Sequence, residues 1–311
     1  MKLQRHTGRH LCFAALAFAL TAGNALAASP WQDGGPRKAR QVSPEQPQTA
    51  QESSAEKLPS ADAILDRHIE AVGGAKAIKQ QEYRSTSGTF EFVGAGVTGT
   101  FRFQQASPHF LLKEMNAAQG LDFTTGYNGE VGWTINSIQG PQLFEGDRLE
   151  DIRRDADFYG ELNYAERYFK RETVAKEEFG GAMCYKLKLI SNAGTTYESY
   201  FSIDTGLFAG MRSELDTPQG RIKSVTLIDE YKAVDGVKYP HKVTMILPDH
   251  HYKEVKTTTE ITHEKISHDV FALPKPIQTL VQAKTEEHDD ETPDGADDDD
   301  DNDANDGEHG E

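Results

Sequence analysis

The sequence predicts an antiparallel α+β fold. About ten short segments alternate apolar and polar residues with a period of two, which is typical of strands with one buried face. Most of these segments are joined to the next by a tight turn containing Gly, Asn or Asp. Helical spacing of apolar residues occurs only at the start of the body and near its middle, so alternating βα units are excluded.

The first 27 residues read as a secretory signal peptide. Lys2, Arg5 and Arg9 precede an apolar run at 11–20, and Ala-Leu-Ala follows at 25–27. A run of this length is too short to span a bilayer, so we expect cleavage after Ala27 and no transmembrane segment in the mature chain. The alternative is an uncleaved anchor. Export places the protein in a bacterial periplasm, with secretion from the cell left open.

Both ends of the mature chain are predicted to be disordered. Residues 28–58 are rich in Pro, Gln, Ser and Glu, and they contain too few large apolar groups to form a core. Residues 284–311 form an acidic tail. Of the 50 acidic residues, 15 lie in 285–311, where Lys and Arg do not occur. The tail could contact a basic protein partner or bind divalent cations weakly, although Thr292 and Pro293 break the EF-hand pattern.

Without that tail the body is nearly neutral. The whole chain has a net charge of −17, but the residues outside the tail include 35 acidic and 33 basic ones. A body with a balance of −2 offers no broad basic surface, so nucleic-acid binding is not expected.

The body, predicted to occupy residues 59–283, begins with a helix. Ser60 is the predicted N-cap, and apolar residues recur with helical spacing from Ile64 to Val72. Gly73 and Gly74 supply a stop, and a second short helix is predicted at 75–80. His68 lies on or beside the apolar stripe, where we expect it to pack rather than to bind a metal.

The strands follow from residue 83 onward. Asn128-Gly129 indicates a hairpin. Asp147 and Glu150 have the spacing of a capping box, which predicts a helix between the strands. Further strands are predicted at 168–177, 182–190, 197–203, 222–231, 237–247 and 255–266, after which Pro274 and Pro276 close the body.

Motifs of enzyme chemistry are missing from the sequence. It has no nucleophile elbow, phosphate loop or dinucleotide fingerprint, and we predict no cofactor, metal site or catalytic residue. His263 and His268 have the wrong spacing for a zinc site on a helix, and their segment reads as a strand. A hydrolase using His250, His251 or His263 remains as a minor alternative. Cys184 is the one cysteine of the mature chain, and we expect it to be buried.

Several segments occur in an order that resembles the LolA-like periplasmic proteins, which are related to outer-membrane lipoprotein carriers and sorting proteins. They include YRSTSGTFEF, FRFQQASPHFLL, GYNGEVGWTI, LFEGDRLEDIRRDADF, YFSIDTGLFAGMRSE and IDEYKAVDGVKYPHKV. The resemblance covers residues 60–273. It implies a strongly curved antiparallel sheet, an incomplete β-barrel, whose concave face is covered by a few helices.

The resemblance also implies a cavity that accepts the acyl chains of a lipid or lipoprotein without covalent chemistry. The candidate apolar lining consists of Phe90, Phe92, Phe101, Phe103, Phe110, Leu112 and Trp133. Each methylene that enters such a cavity contributes about 0.8 kcal/mol. The alternative for each residue is ordinary core packing. The alternative for the protein is a non-catalytic interaction module of an exported assembly that uses its linker and acidic tail.

Overall fold

The computed structural model describes residues 57–118, 120–192, 194–217 and 220–290. The predicted signal peptide, nearly all of the predicted linker and the tail beyond residue 290 lie outside these ranges. Within them, no helix is both long enough and apolar enough to cross a bilayer.

The described residues form five α-helices and thirteen strands. The helices are α1 (Ala61–Val72), α2 (Gly74–Lys79), α3 (Gly146–Ala156), α4 (Tyr164–Arg167) and α5 (Lys275–Asp290). The strands are β1 (Tyr83–Phe92), β2 (Val97–Ala106), β3 (Phe110–Ala117), β4 (Asp122–Tyr127), β5 (Gly132–Asn136), β6 (Gly140–Leu143), β7 (Tyr168–Phe179), β8 (Ala182–Ser191), β9 (Thr196–Ser202), β10 (Phe208–Thr217), β11 (Gly220–Val234), β12 (Val237–Leu247) and β13 (Tyr252–Thr262).

All thirteen strands belong to one antiparallel sheet. Its order is β6-β5-β4-β3-β2-β1-β13-β12-β11-β10-β9-β8-β7, so β1 pairs with β13, and β6 and β7 are the two edges. The predicted class is confirmed, but the prediction of about ten strands was too low. Strand β6 was missed because it has four residues, including Gly140 and Pro141. Strand β10 was missed because Gly210 interrupts its apolar alternation.

The first two helices form as predicted. The backbone N–H of Ala63 donates to Ser60 Oγ at 3.2 Å, which confirms the N-cap. Helix α1 ends at Gly73, whose φ of 134° is a conformation that glycine adopts readily and other residues do not. A Cβ at Gly73 would lie 2.2 Å from the carbonyl oxygen of Gly236, so the glycine also lets α1 approach the turn between β11 and β12.

Two other helices differ from the predictions. The proposed capping box at Asp147 was wrong, because α3 begins at Gly146 with Glu145 in the cap position. Helix α5 was not predicted, because Pro274 and Pro276 suggest the end of the body. Pro276 lies in the first turn of α5, where the missing N–H has no helical partner to lose. The helix continues to Asp290, so the predicted boundary at 283 falls inside it.

The sheet curls strongly enough for one helix to reach both of its halves. The ammonium of Lys113 on β3 lies 2.8 Å from a carboxylate oxygen of Asp155 in α3. Arg154 in the same helix lies close to Tyr197 on β9. Burial raises the pKa of Tyr197, and the nearby charge of Arg154 opposes that rise. Strands β3 and β9 are seven positions apart, which is about 34 Å in a flat sheet at 4.8 Å per strand. Only a curled sheet brings both to α3.

We call the face that α1 and α3 pack against the concave face. Helix α1 places Ile64 and Leu65 against Leu187 and Phe201, and α3 places Ile152 against the other half of the sheet. Helix α5 packs on the opposite, outer face, against a cluster that includes Trp133. The prediction that the helices cover the concave face therefore holds for α1 and α3 and not for α5.

Candidate functional site

The seven predicted lining residues lie on both faces of the sheet. Phe90 and Phe101 sit opposite Gly99 and Gly88 in the β1–β2 register, so the four phenylalanines of these strands share the concave face. Strand β3 continues with Phe101 opposite Met115. The remaining three residues therefore point to the outer face: Phe110, Leu112 and Trp133. The single lining that the sequence suggested is two separate apolar regions.

Phe90 and Phe101 belong to the protein's own core. They are 2% and 3% exposed. Each ring lies close to a glycine of the neighbouring strand. A Cβ built on Gly99 would be 2.6 Å from the Phe90 ring, and one on Gly88 would be 2.8 Å from the Phe101 ring. Aromatic rings that cover cross-strand glycines stabilise the pairing of the strands.

A band of half-buried apolar side chains continues from this core along the concave face. We call it the apolar trough, and it consists of Phe92, Phe103, Met115, Val243 and Met245. The first three pack with Phe90 and Phe101. Among the described residues, no helix belongs to the cluster that contains Phe92, Phe103 and Met115, and all five trough residues are only half-buried.

An ion pair lies inside the trough. Glu254 sits opposite both Phe92 and Met245 in the sheet register, and its side chain is 4% exposed. Its carboxylate is 2.5 Å from the ammonium of Lys256, which keeps a buried charge paired. Burial, together with the charge of Glu254, raises the pKa of Tyr252 at the end of the trough, so its hydroxyl stays protonated.

The outer region lies under α5. Trp133 is 1% exposed and packs with Leu112 and Ile277, and its indole N–H has no hydrogen-bond partner among the described residues. A pocket of about 410 Å³ opens beside it at the sheet edge, between α3 and α5. Its apolar lining is Val131, Leu143, Phe144, Leu149 and Val281. Lys284 of α5 pairs with Glu145 at its rim.

The histidines divide into packed and exposed ones. His68 contacts the rings of Phe201 and Phe208, as the packing prediction required, and burial lowers its pKa. His250 and His251 are exposed in the turn after β12. Across the described ranges, no three His, Cys, Asp or Glu side chains are grouped closely enough to hold a metal ion.

His263 was placed wrongly by the sequence. It follows β13 instead of lying within it, and its side chain is 7% exposed. One ring nitrogen is 3.0 Å from the hydroxyl of Tyr239, and the other is 2.8 Å from a carboxylate oxygen of Asp235. Burial raises the pKa of Tyr239, so its phenol is not activated as a nucleophile. The Asp235–His263–Tyr239 chain therefore holds the Tyr239 ring in position.

Cys184 is completely buried, as predicted. Burial also raises the pKa of its thiol, so the reactive thiolate is disfavoured.

Comparisons with known proteins concern the fold. No protein-family model matches the chain, and no curated protein sequence does. Solved structures do match it. One is a DUF1329 family protein from Desulfovibrio piger, with 14% identity, a TM-score of 0.49 and coverage of 69% of this chain and 98% of that one. Another is a LolA superfamily protein from Nitrosomonas europaea, with 13% identity, a TM-score of 0.48 and coverage of 70% and 99%.

A third structure is described as an outer membrane lipoprotein-sorting protein domain from Vibrio parahaemolyticus. It is 12% identical, has a TM-score of 0.46, and the match covers 68% of this chain and 97% of that one. Two of these three descriptions name the LolA superfamily or lipoprotein sorting.

Proposed function

We propose that this protein is an exported, non-catalytic carrier that holds an acyl chain of a lipid or lipoprotein in the apolar trough. The observation that carries the proposal is the uncovered, half-buried surface of Phe92, Phe103, Met115, Val243 and Met245 on the concave face. A curled sheet surrounds this surface with protein on several sides, which increases the apolar area that a bound chain removes from water.

The expected binding energy is sufficient for a carrier. About eight methylenes buried against the trough contribute roughly 6 kcal/mol at 0.8 kcal/mol each, before the cost of association. Without that cost, 6 kcal/mol corresponds to a Kd of about 40 μM, so the expected binding is weak and reversible. The inner phenylalanines Phe90 and Phe101 form the floor of the site and do not themselves need to touch the ligand.

The proposal predicts that purified protein carries lipid. The full chain is purified from its native compartment and extracted with solvent, and the extract is analysed by mass spectrometry. Export is checked in the same sample, because an N-terminus at Ala28 is expected. A consistently empty protein that also fails to bind a fluorescent fatty acid would contradict the carrier function.

A charge placed in the trough tests where the chain binds. Phe103→Glu puts a carboxylate on the half-buried surface, and we expect fluorescent fatty-acid affinity to fall at least about tenfold because an unpaired charge there must be desolvated. Phe169→Glu is the matched control, since Phe169 is 64% exposed on the edge strand β7. Val281→Glu charges the pocket beside α5 instead. Loss of binding in that variant, with Phe103→Glu unchanged, would move the site to the outer face.

A further inference from the structure

A second pocket lies on the concave side near the start of β1, at the opposite end of that strand from Phe92 of the trough. Its volume is about 130 Å³, and α2, the first residues of β1 and β12, and the segment after α3 surround it. Four charged side chains line it: Arg84, Asp157, Glu161 and Arg167. Two guanidinium groups and two carboxylates thus share a space large enough for a small polar group.

Arg84 is held in a fixed orientation. Its guanidinium lies 5.5 Å from the centre of the Phe158 ring and 5.4 Å from that of Tyr239. Its Nε donates to Gln105 Oε1 at 3.1 Å. The Asp235–His263–Tyr239 chain holds the second ring from behind. Fixing a guanidinium in this way lowers the entropy lost when it pairs with an anion.

Arg167 has an unused donor. Its Nε is buried and has no hydrogen-bond partner among the described residues. Gly160 makes room for it, because a Cβ there would lie 2.3 Å from Arg167 Nη1. A buried N–H without an acceptor destabilises the folded protein, and a ligand oxygen would satisfy it. The glycine and the unpaired donor together indicate a cradle for an anionic group.

The two carboxylates decide what kind of anion fits. Asp157 is half-buried, where it accepts a hydrogen bond from the backbone N–H of Tyr159, and Glu161 is exposed at the rim. A simple anion would be repelled by them. A ligand that carries a phosphate and, a few bonds away, an ammonium would pair with both kinds of side chain.

We propose that this pocket binds a zwitterionic phosphate group, with the phosphate at Arg84 and Arg167 and the ammonium at Glu161. Arginine forks pair with phosphate oxygens through two parallel hydrogen bonds, which suits the free Nε of Arg167. Such a group can come from the headgroup of a lipid or from a free small molecule. The site is separate from the trough, so it does not depend on acyl-chain binding.

Calorimetric titration of the mature full chain tests the proposal. O-phosphoethanolamine is expected to bind, and glycerol 3-phosphate, which lacks the ammonium, is expected to bind at least about fivefold more weakly. Arg167→Gln should weaken phosphoethanolamine binding at least about tenfold, and Glu161→Gln should remove the preference over glycerol 3-phosphate. Arg102→Gln, an exposed change on β2, is the matched control and should bind as wild type.

Further measurements separate the outcomes. Arg167→Gln should keep the wild-type fluorescent fatty-acid affinity, so a failure of this site is distinct from a failure of the carrier function. Competition by dihexanoyl phosphatidylethanolamine below its micellar concentration would identify a lipid headgroup as the source, and its failure to compete would identify a free small molecule. Absence of phosphoethanolamine binding, or binding that Arg167→Gln leaves unchanged, would overturn the proposal.

Discussion

Replacing Phe101 by alanine separates core packing from ligand contact at the centre of the concave face. The side chain is 3% exposed, its ring covers Gly88, and its centre is 4.8 Å from the centre of the Phe103 ring. Truncating a buried phenylalanine leaves a cavity and costs about 3–5 kcal/mol. With an m-value of about 3 kcal/mol/M for a domain of this size, the urea midpoint is expected to fall by about 1–1.7 M.

Urea unfolding followed by tryptophan fluorescence measures this change, because the described body contains Trp133 in its core. Phe169→Ala is the control. That residue is 64% exposed, so its truncation should change the free energy of unfolding by no more than about 0.5 kcal/mol. A Phe101→Ala variant as stable as this control, but unable to bind fatty acid, would refute the assignment of Phe101 to the core and make it part of the ligand surface.

Two further predictions concern the buried residues Gly88 and Cys184, and a third concerns the Lys113–Asp155 ion pair. Gly88→Ala should lower the free energy of unfolding, measured in urea, by about 2 kcal/mol or more, because the new Cβ would lie 2.1 Å from the Thr257 carbonyl oxygen. An unchanged free energy of unfolding would contradict the register between β1 and β13. Native Cys184 should not react with a disulfide reagent until the protein unfolds, so rapid labelling of folded protein would show that it is accessible.

Desolvation acts to raise the pKa of Asp155, but Lys113 and neighbouring arginines outweigh it and lower that pKa. The stabilisation that the ionised Asp155 carboxylate gives the fold is therefore present above the ordinary carboxyl pKa and lost as pH falls through the lowered value. Lys113→Met should lower the melting temperature at pH 7 and not at pH about 2. An equal decrease in melting temperature at both pH values would contradict the assignment.

Most elements could be predicted from the sequence because their signals are local. A strand's side chains alternate between faces, so Phe90 and Phe92 had to share a face, as did Phe101 and Phe103. The helix start at Ser60 depends on one hydrogen bond within a single turn. Helix α5 was missed because prolines end most helices, yet they are tolerated in a first turn.

Which side chains of two consecutive strands share one face of the sheet could not be predicted, because the length of the loop between the strands decides their register. Ala106 pairs with Phe110 across the turn between β2 and β3. That register turns Phe110 and Leu112 to the outer face, away from Phe101. A register shifted by one residue would have placed all three on the concave face. Alternation within each strand is identical in both cases, so the sequence pattern does not distinguish them.

By itself, the sequence determined most of the elements, their alternating faces and the antiparallel class, since these depend on residues close together in the chain. Only the tertiary structure decided how far the sheet curls and which distant groups meet. Asp235 and His263 are 28 positions apart, and Arg84 reaches Tyr239 only because β1 and β12 both flank β13. Contacts of this kind depend on the curl and register of the whole sheet, which no local pattern specifies.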